Sequence, residues 1–247
     1  MSYSIILPTL NEAGHIIKLV DEIRLVFFEI KEKFEIIIID DSSTDRTNDL
    51  CHKMSLKYEN IQFFSRSGLK KNLPDSINLG IEKSKYENII WMDADFQHPP
   101  GFLKLFHDQQ KKYDVVIFSR FLTNSVRYFE KEKFKKEYNE NQSVFFNRLC
   151  NFLLHDDLTD YTSGFICIKK KIFKDYKLSG YYGEYFIDLL IYCKSQKYSI
   201  TELPFIERER YSGVSKTFPD FSFKYIVLLY MYFFCLIKNL LKKIFAN

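Results

Sequence analysis

The run "FEIIIID" at residues 34–40 most constrains what this chain can fold into. Successive residues of a strand point to opposite faces, so an unbroken isoleucine run needs cover on both sides. A parallel sheet enclosed by helices provides that cover. "YSIILP" (3–8), "IQFFS" (61–65), "NIIWMD" (88–93) and "DVVIFS" (114–119) are further strand candidates. Between the first two, Ile16, Leu19, Val20, Ile23, Val26, Phe27 and Ile30 recur at helical spacing. Thr44 or Asp45 is placed to cap a second helix, and residues 75–84 form a third. Pro99-Pro100 opens a fourth that runs to about Lys112, proline being tolerated in a first helical turn. Further on, "SVFFNRLCNFLL" and "GEYFIDLLIYCKSQ" carry helical periods, "DYTSGFICIKKKIF" is a strand leading into a helix, and "YSITELPF" is a strand. This alternation predicts an α/β fold with a mostly parallel sheet and helices on both faces. Ligands of such folds bind beyond the carboxyl ends of the strands.

That edge collects unusual residues. "PTLNE" follows the first strand, Asp40-Asp41 the second, Asp93-Ala94-Asp95 a later one, and Ser119-Arg120 the next. Asp93 and Asp95 stand one residue apart at the end of a buried run, where they repel each other. Asp is a common turn residue and helix cap, which is one account of the pair. The other is a divalent cation. Residues i and i+2 of an extended segment point the same way, and two hard oxygen donors there suit Mg²⁺ or Mn²⁺ completed by waters and substrate phosphates. Gln97, two residues further, is placed to add a neutral oxygen or bind a metal water.

Several classes are excluded or disfavoured. A net charge of +4 over 247 residues supplies no basic stripe for nucleic acid. No G-x-G-x-x-G follows the first strand and no P-loop is present, which removes the dinucleotide and P-loop sites. Cys51, Cys150, Cys167, Cys193 and Cys235 form no C-x-x-C and sit in apolar patterns, as small buried hydrophobes in a reducing compartment do. The N-terminus reads as a strand and not as a signal peptide. A metal-assisted site for a substrate carrying a diphosphate remains, with Asp41 placed to bond a base or ribose.

Two segments depart from the α/β pattern. Residues 125–142 are highly charged, as befits either a solvated surface stretch or a lid beside the site. Tyr225 to Ile237, "YIVLLYMYFFCLI", is solidly apolar and aromatic, with Lys224 before it and Lys238, Lys242 and Lys243 after it. It is short of the roughly 20 residues that span a bilayer. It reads as a core helix, as a helix lying in a membrane interface with its lysines near anionic headgroups, or as a true span with snorkelling lysines. The expected organisation is a domain over residues 1–218 and an apolar, basic segment over 219–247.

In order, "PTLNE", "IIIIDDSSTDRT", "MDADFQHPP", the "SR" at 119–120, "DYTSGF" and "RYSGVSK" resemble the inverting family 2 glycosyltransferases of GT-A fold. Among these, the similarity is greatest to the dolichol-phosphate mannose synthases and polyprenyl-phosphate sugar synthases, over residues 4 to about 218. The resemblance implies a nucleotide-sugar donor, Mg²⁺ or Mn²⁺, and a polyprenyl-phosphate acceptor, or else a glycan hydroxyl, at the cytoplasmic face of a membrane. It also admits a membrane-protein partner. Pro8, Leu10, Glu12, Ile39 and Asp41 would line the nucleotide pocket together with Ala94. Asp93, Asp95 and Gln97 would hold the metal, and Arg120 would face the reacting phosphates. Arg210 and Lys216 would close over the donor with Ser215 between them, and Asp188 is the candidate base for a hydroxyl acceptor. Where relatives carry a G-L-G-x-A turn this chain has Asn72-Leu73-Pro74-Asp75-Ser76, and Ile166 stands where an arginine is frequent. The alternative class is a non-catalytic binding protein of the same fold, against which the intact Asp93, Asp95, Arg210 and Lys216 argue.

Overall fold

The computed structural model describes residues 1–122, 126–127, 144, 147–154, 157–181, 183–208, 230–239 and 241. Arg210, Gly213, Ser215 and Lys216, most of the charged stretch at 125–142, and Lys224, Lys242 and Lys243 lie outside the described residues.

The strands and helices follow the apolar pattern. β1 (Ser2–Thr9), α1 (Ile16–Glu29), β2 (Lys33–Asp40), α2 (Thr47–Lys57), β3 (Ile61–Ser65), α3 (Leu73–Lys83) and β4 (Asn88–Trp91) form a regular alternation. A 3₁₀ turn at Pro100–Phe102 leads into α4 (Leu103–Gln109), then β5 (Val115–Ser119) and a short β6 (Val126–Arg127). Residues 147–154 are helical. β7 (Ile166–Lys169), α5 (Glu184–Ser195), β8 (Ile200–Pro204) and β9 (Ile206–Glu207) follow. Residues 230–239 are again helical.

Seven strands make one sheet in the order β3-β2-β1-β4-β7-β5-β8. β3, β2, β1 and β4 run parallel, as do β5 and β8. β7 is antiparallel to both its neighbours, β4 and β5. The isoleucine run behaves as its composition requires. Ile36 and Ile38 pack on one face with Tyr3, Ile5, Leu7 and the apolar stripe of α1. Ile37 and Ile39 pack on the other with Ile6, Trp91 and α3 residues Ile77 and Ile81. Six of the seven helical-period residues of the first helix, all but Ile30, are buried. Gly80 lets α3 approach β1: a Cβ there would collide with the Ile6 side chain. All five cysteines are free, buried thiols.

Helix starts depart in detail from expectation. The third helix begins at Leu73, two residues before the expected start. Asn72 caps it by accepting the Asp75 N–H at 3.0 Å, and Pro74 sits in the first turn. At α2, Asp45 does accept the Thr47 N–H at 2.9 Å, from just outside the N-cap position. The C-terminal helix uses two faces. Tyr232, Cys235 and Leu236 join the core below α5, while Tyr230, Phe233, Phe234, Ile237 and Leu241 are exposed along the opposite stripe. Among the described residues no helix is long and apolar enough to cross a membrane.

Candidate active site

The carboxyl ends of β1, β2 and β4 and the N-terminus of α3 enclose a cleft of about 310 Å³. Pro8, Leu10, Glu12, Asp41, Asp93, Ala94 and Asp95, all drawn from the sequence, line it. Lys71, Asn72, Ser76 and Tyr181 line it as well and were not foreseen.

Two loops are fastened together to form its floor. Asn11 adopts a positive φ of 58°, a conformation that asparagine tolerates. Its N–H donates to Ser43 Oγ at 2.8 Å, and its Oδ1 accepts the Thr44 N–H at 2.8 Å. Glu12 N–H donates to Thr47 Oγ1 at 2.8 Å, and Ala13 N–H to Asp45 Oδ2 at 3.2 Å. "PTLNE" and "DDSSTDRT" are therefore one hydrogen-bonded unit, with Glu12 buried at its centre 2.9 Å from His15 Nε2. Asp41 is held by the Arg66 guanidinium and by the Asn72 N–H at 2.7 Å. Burial raises its carboxyl above the ordinary range, an effect that Asn72, Arg66 and Lys71 only partly offset.

The aspartate turn is built with equal care. Phe96 takes a positive φ of 69°, and Asp95 Oδ1 accepts the Gln97 N–H at 3.0 Å. Asp93 N–H donates to His98 Nδ1 at 2.9 Å, so the His98 proton resides on Nε2. Burial against Phe165 and Phe205 pushes the imidazole down to about 4, and it is neutral at physiological pH. Asp93 is exposed to the cleft and Asp95 is 2% exposed. Among the described residues there is no cluster of three His, Cys, Asp or Glu side chains that could cage a metal. Two carboxylates on an open edge fit a hard cation that draws its other ligands from water and phosphate oxygens.

Other expected site residues are placed elsewhere. Ile39 is fully buried in the core and is not among the residues lining the cleft. Gln97 does not line the cleft; its carbonyl accepts the Arg208 N–H at 3.3 Å. Arg120 is not among the residues lining the cleft; it pairs with Asp160, donating from Nε to Oδ2 and from Nη2 to Oδ1, both at 2.8 Å, and from Nη2 to Thr162 Oγ1 at 2.7 Å. This bidentate fork ties β5 to the "DYTSG" loop. Burial alone would raise the Asp160 carboxyl, but Arg120 outweighs it and holds the group below 3.8. Asp188 is a tie between helices: Tyr176 Oη donates to it at 2.9 Å and Asn239 Nδ2 at 2.8 Å, and it is absent from the cleft wall. Instead Tyr181, just before α5, borders the cleft. Glu184 Oε1 accepts the Tyr181 N–H at 2.7 Å.

The site thus combines a carboxylate pair after a central strand, a second acidic residue after β2 and an α/β sheet with one reversed strand. The sequence profile of Glycosyl transferase family 2 matches residues 4–177, and the chain belongs to that family and has its GT-A fold. It is similar to the dolichol-phosphate mannosyltransferase of Pyrococcus furiosus, with 27% identity over 231 residues, 93% of this chain and 63% of that protein. It also resembles the putative glycosyltransferase CsbB of Bacillus subtilis, 36% identical over 121 residues, 47% of this chain and 36% of the other. The chain thus spans less than two thirds of the length of these relatives. Its fold is shared with glucosyl-3-phosphoglycerate synthase of Mycobacterium tuberculosis, solved with Mn²⁺, UDP and glucosyl-3-phosphoglycerate. There the TM-score is 0.70 at 14% identity, covering 96% of this chain and 79% of the other. The same protein has been solved with Mg²⁺ and UDP.

Proposed function

We propose that this enzyme moves a sugar, with inversion, from a nucleoside-diphosphate donor to a polyprenyl phosphate at the cytoplasmic face of a membrane. The observation that carries the donor half is one cleft lined by Glu12, Asp41, Asp93 and Asp95, with Asp41 after β2 and Asp93 after β4 on either side of β1. Asp41 is an acceptor for a base or ribose donor. Asp93 and Asp95 would hold Mg²⁺ or Mn²⁺ on the diphosphate, and the cation would stabilise the charge that grows on the leaving group. In the displacement an acceptor oxygen bonds to the anomeric carbon as that carbon's bond to the diphosphate breaks. The diphosphate leaves with the electron pair.

Two features support the acceptor half. A phosphate acceptor is already anionic and needs no general base, and Asp188, the candidate base for a hydroxyl, is engaged by Tyr176 and Asn239. The C-terminal helix exposes Tyr230, Phe234 and Ile237 in one stripe with Lys238 nearby, a face suited to an anionic bilayer surface. The dolichol-phosphate name of the archaeal relative points the same way.

Calorimetry with UDP and GDP, with and without Mn²⁺, tests the donor half. Metal-stimulated binding is expected in the wild type and should be lost in Asp95→Ala with the fold intact. Equal metal stimulation in the variant would remove Asp95 from the metal site. Transfer assays with and without polyprenyl phosphate test the acceptor, and turnover onto a soluble glycan alone would reassign it.

A further inference from the structure

Tyr181 stands in the wall of the cleft, 49% exposed. Its backbone is fixed from two directions. Glu184 Oε1 accepts its N–H at 2.7 Å, and the carbonyl before it, of Gly180, accepts from Asn72 Nδ2 at 2.9 Å. Asn72 is the residue whose N–H binds Asp41, so an unbroken chain of contacts runs from Asp41 through Asn72 to Gly180 and Tyr181. These contacts tie Tyr181 to the Asp41 part of the cleft.

Gly180 makes the arrangement feasible. Its φ of 134° lies where side chains are strained, and a Cβ would stand 2.8 Å from Glu184 Oε1, the atom that holds Tyr181. Above the ring, Lys70 Nζ lies 4.4 Å from the centroid. A cation over one face orients an aromatic ring and polarises it. Tyr181 is the one aromatic side chain among the described residues lining this cleft.

We propose that Tyr181 is the platform on which the donor's nucleobase stacks, on the ring face opposite Lys70. The proposal rests on the cleft being the nucleoside-diphosphate site. Stacking accepts any base, since every base presents a π face, so it would supply affinity while Asp41 supplies hydrogen-bond selection.

The test compares UDP, GDP and inorganic pyrophosphate, each with Mn²⁺, by calorimetry on the full chain. Tyr181→Ala should weaken UDP and GDP binding roughly five- to a hundredfold, the range that loss of a base–aromatic stack produces. Pyrophosphate has no base, so its affinity should stay unchanged, which also shows that the variant is folded. Tyr181→Phe keeps the ring and should restore nucleotide binding. Equal losses for UDP and pyrophosphate in Tyr181→Ala would overturn the proposal, as would undiminished UDP binding. A wild-type protein that binds pyrophosphate and neither nucleotide would also overturn it. One that binds none of the three would instead remove the diphosphate-site reading on which the proposal depends.

Discussion

Asp160 is buried without exposed surface, and its partner Arg120 is also sequestered. Removing one member of a fully buried pair costs about 3–5 kcal/mol; here Glu207, 3.8 Å from Arg120 Nη1, still offsets part of the remaining charge. Asp160→Asn should therefore be strongly destabilised near pH 7. The pH dependence has a definite sign. The folded carboxyl is held below its ordinary value, so the stabilisation is present above the unfolded pKa and is lost as pH falls through the depressed folded one. Urea unfolding of wild type and Asp160→Asn should show a large gap at pH 7 that narrows only below about pH 3.8. A gap constant with pH would mean that the ionised carboxylate contributes nothing. Asp160 was visible in "DYTSGF", yet its pairing with Arg120, forty positions away, was not. A sequence displays a charge but not the direction its side chain takes.

Among elements, α3 shows how a single position sets the distance between helix and strand. Alanine is ordinarily the better helix former by about 1 kcal/mol. Gly80→Ala should nonetheless destabilise, by about 1–3 kcal/mol, because its Cβ meets Ile6 in a filled core. A raised midpoint in thermal unfolding would show that α3 moves aside freely. The start of the same helix corrects an expectation from sequence. The sequence placed its first residue at 75, and the helix begins at Leu73. In the fold Pro74 occupies a first-turn position where its missing N–H costs nothing, and Asn72 serves as cap, binds Asp41 and reaches Gly180. The reversed β7 was equally hidden, since an apolar strand buried on both faces has the same composition in either direction.

At the level of the whole molecule, the C-terminal helix joins the core to an exposed apolar stripe, and the two can be separated experimentally. Phe234→Ser with Ile237→Ser changes only exposed positions. This double variant should keep the wild-type melting temperature and lose flotation with anionic liposomes. Deleting residues 222–247 also removes Tyr232, Cys235 and Leu236 from the core and Asn239 from Asp188, and should lower stability and nucleotide binding together. Flotation unchanged in the double variant would mean that this stripe does not meet a bilayer.

By itself the sequence determined the α/β class, the positions of the strands of the seven-stranded sheet, though not of the short β6 and β9, and the edge where Glu12, Asp41, Asp93 and Asp95 gather. These are local or periodic properties: burial on both faces dictates apolar runs, and the topology of such sheets puts ligands at one edge. The ordered motifs then carried the family. Only the tertiary structure decided which polar residues turn toward the cleft. It sent Arg120 to Asp160 and Asp188 to Tyr176 and Asn239, and it brought Lys71, Asn72 and Tyr181 into the wall. The reason is that a buried charge must find its partner wherever the chain supplies one, and sequence spacing does not encode that meeting.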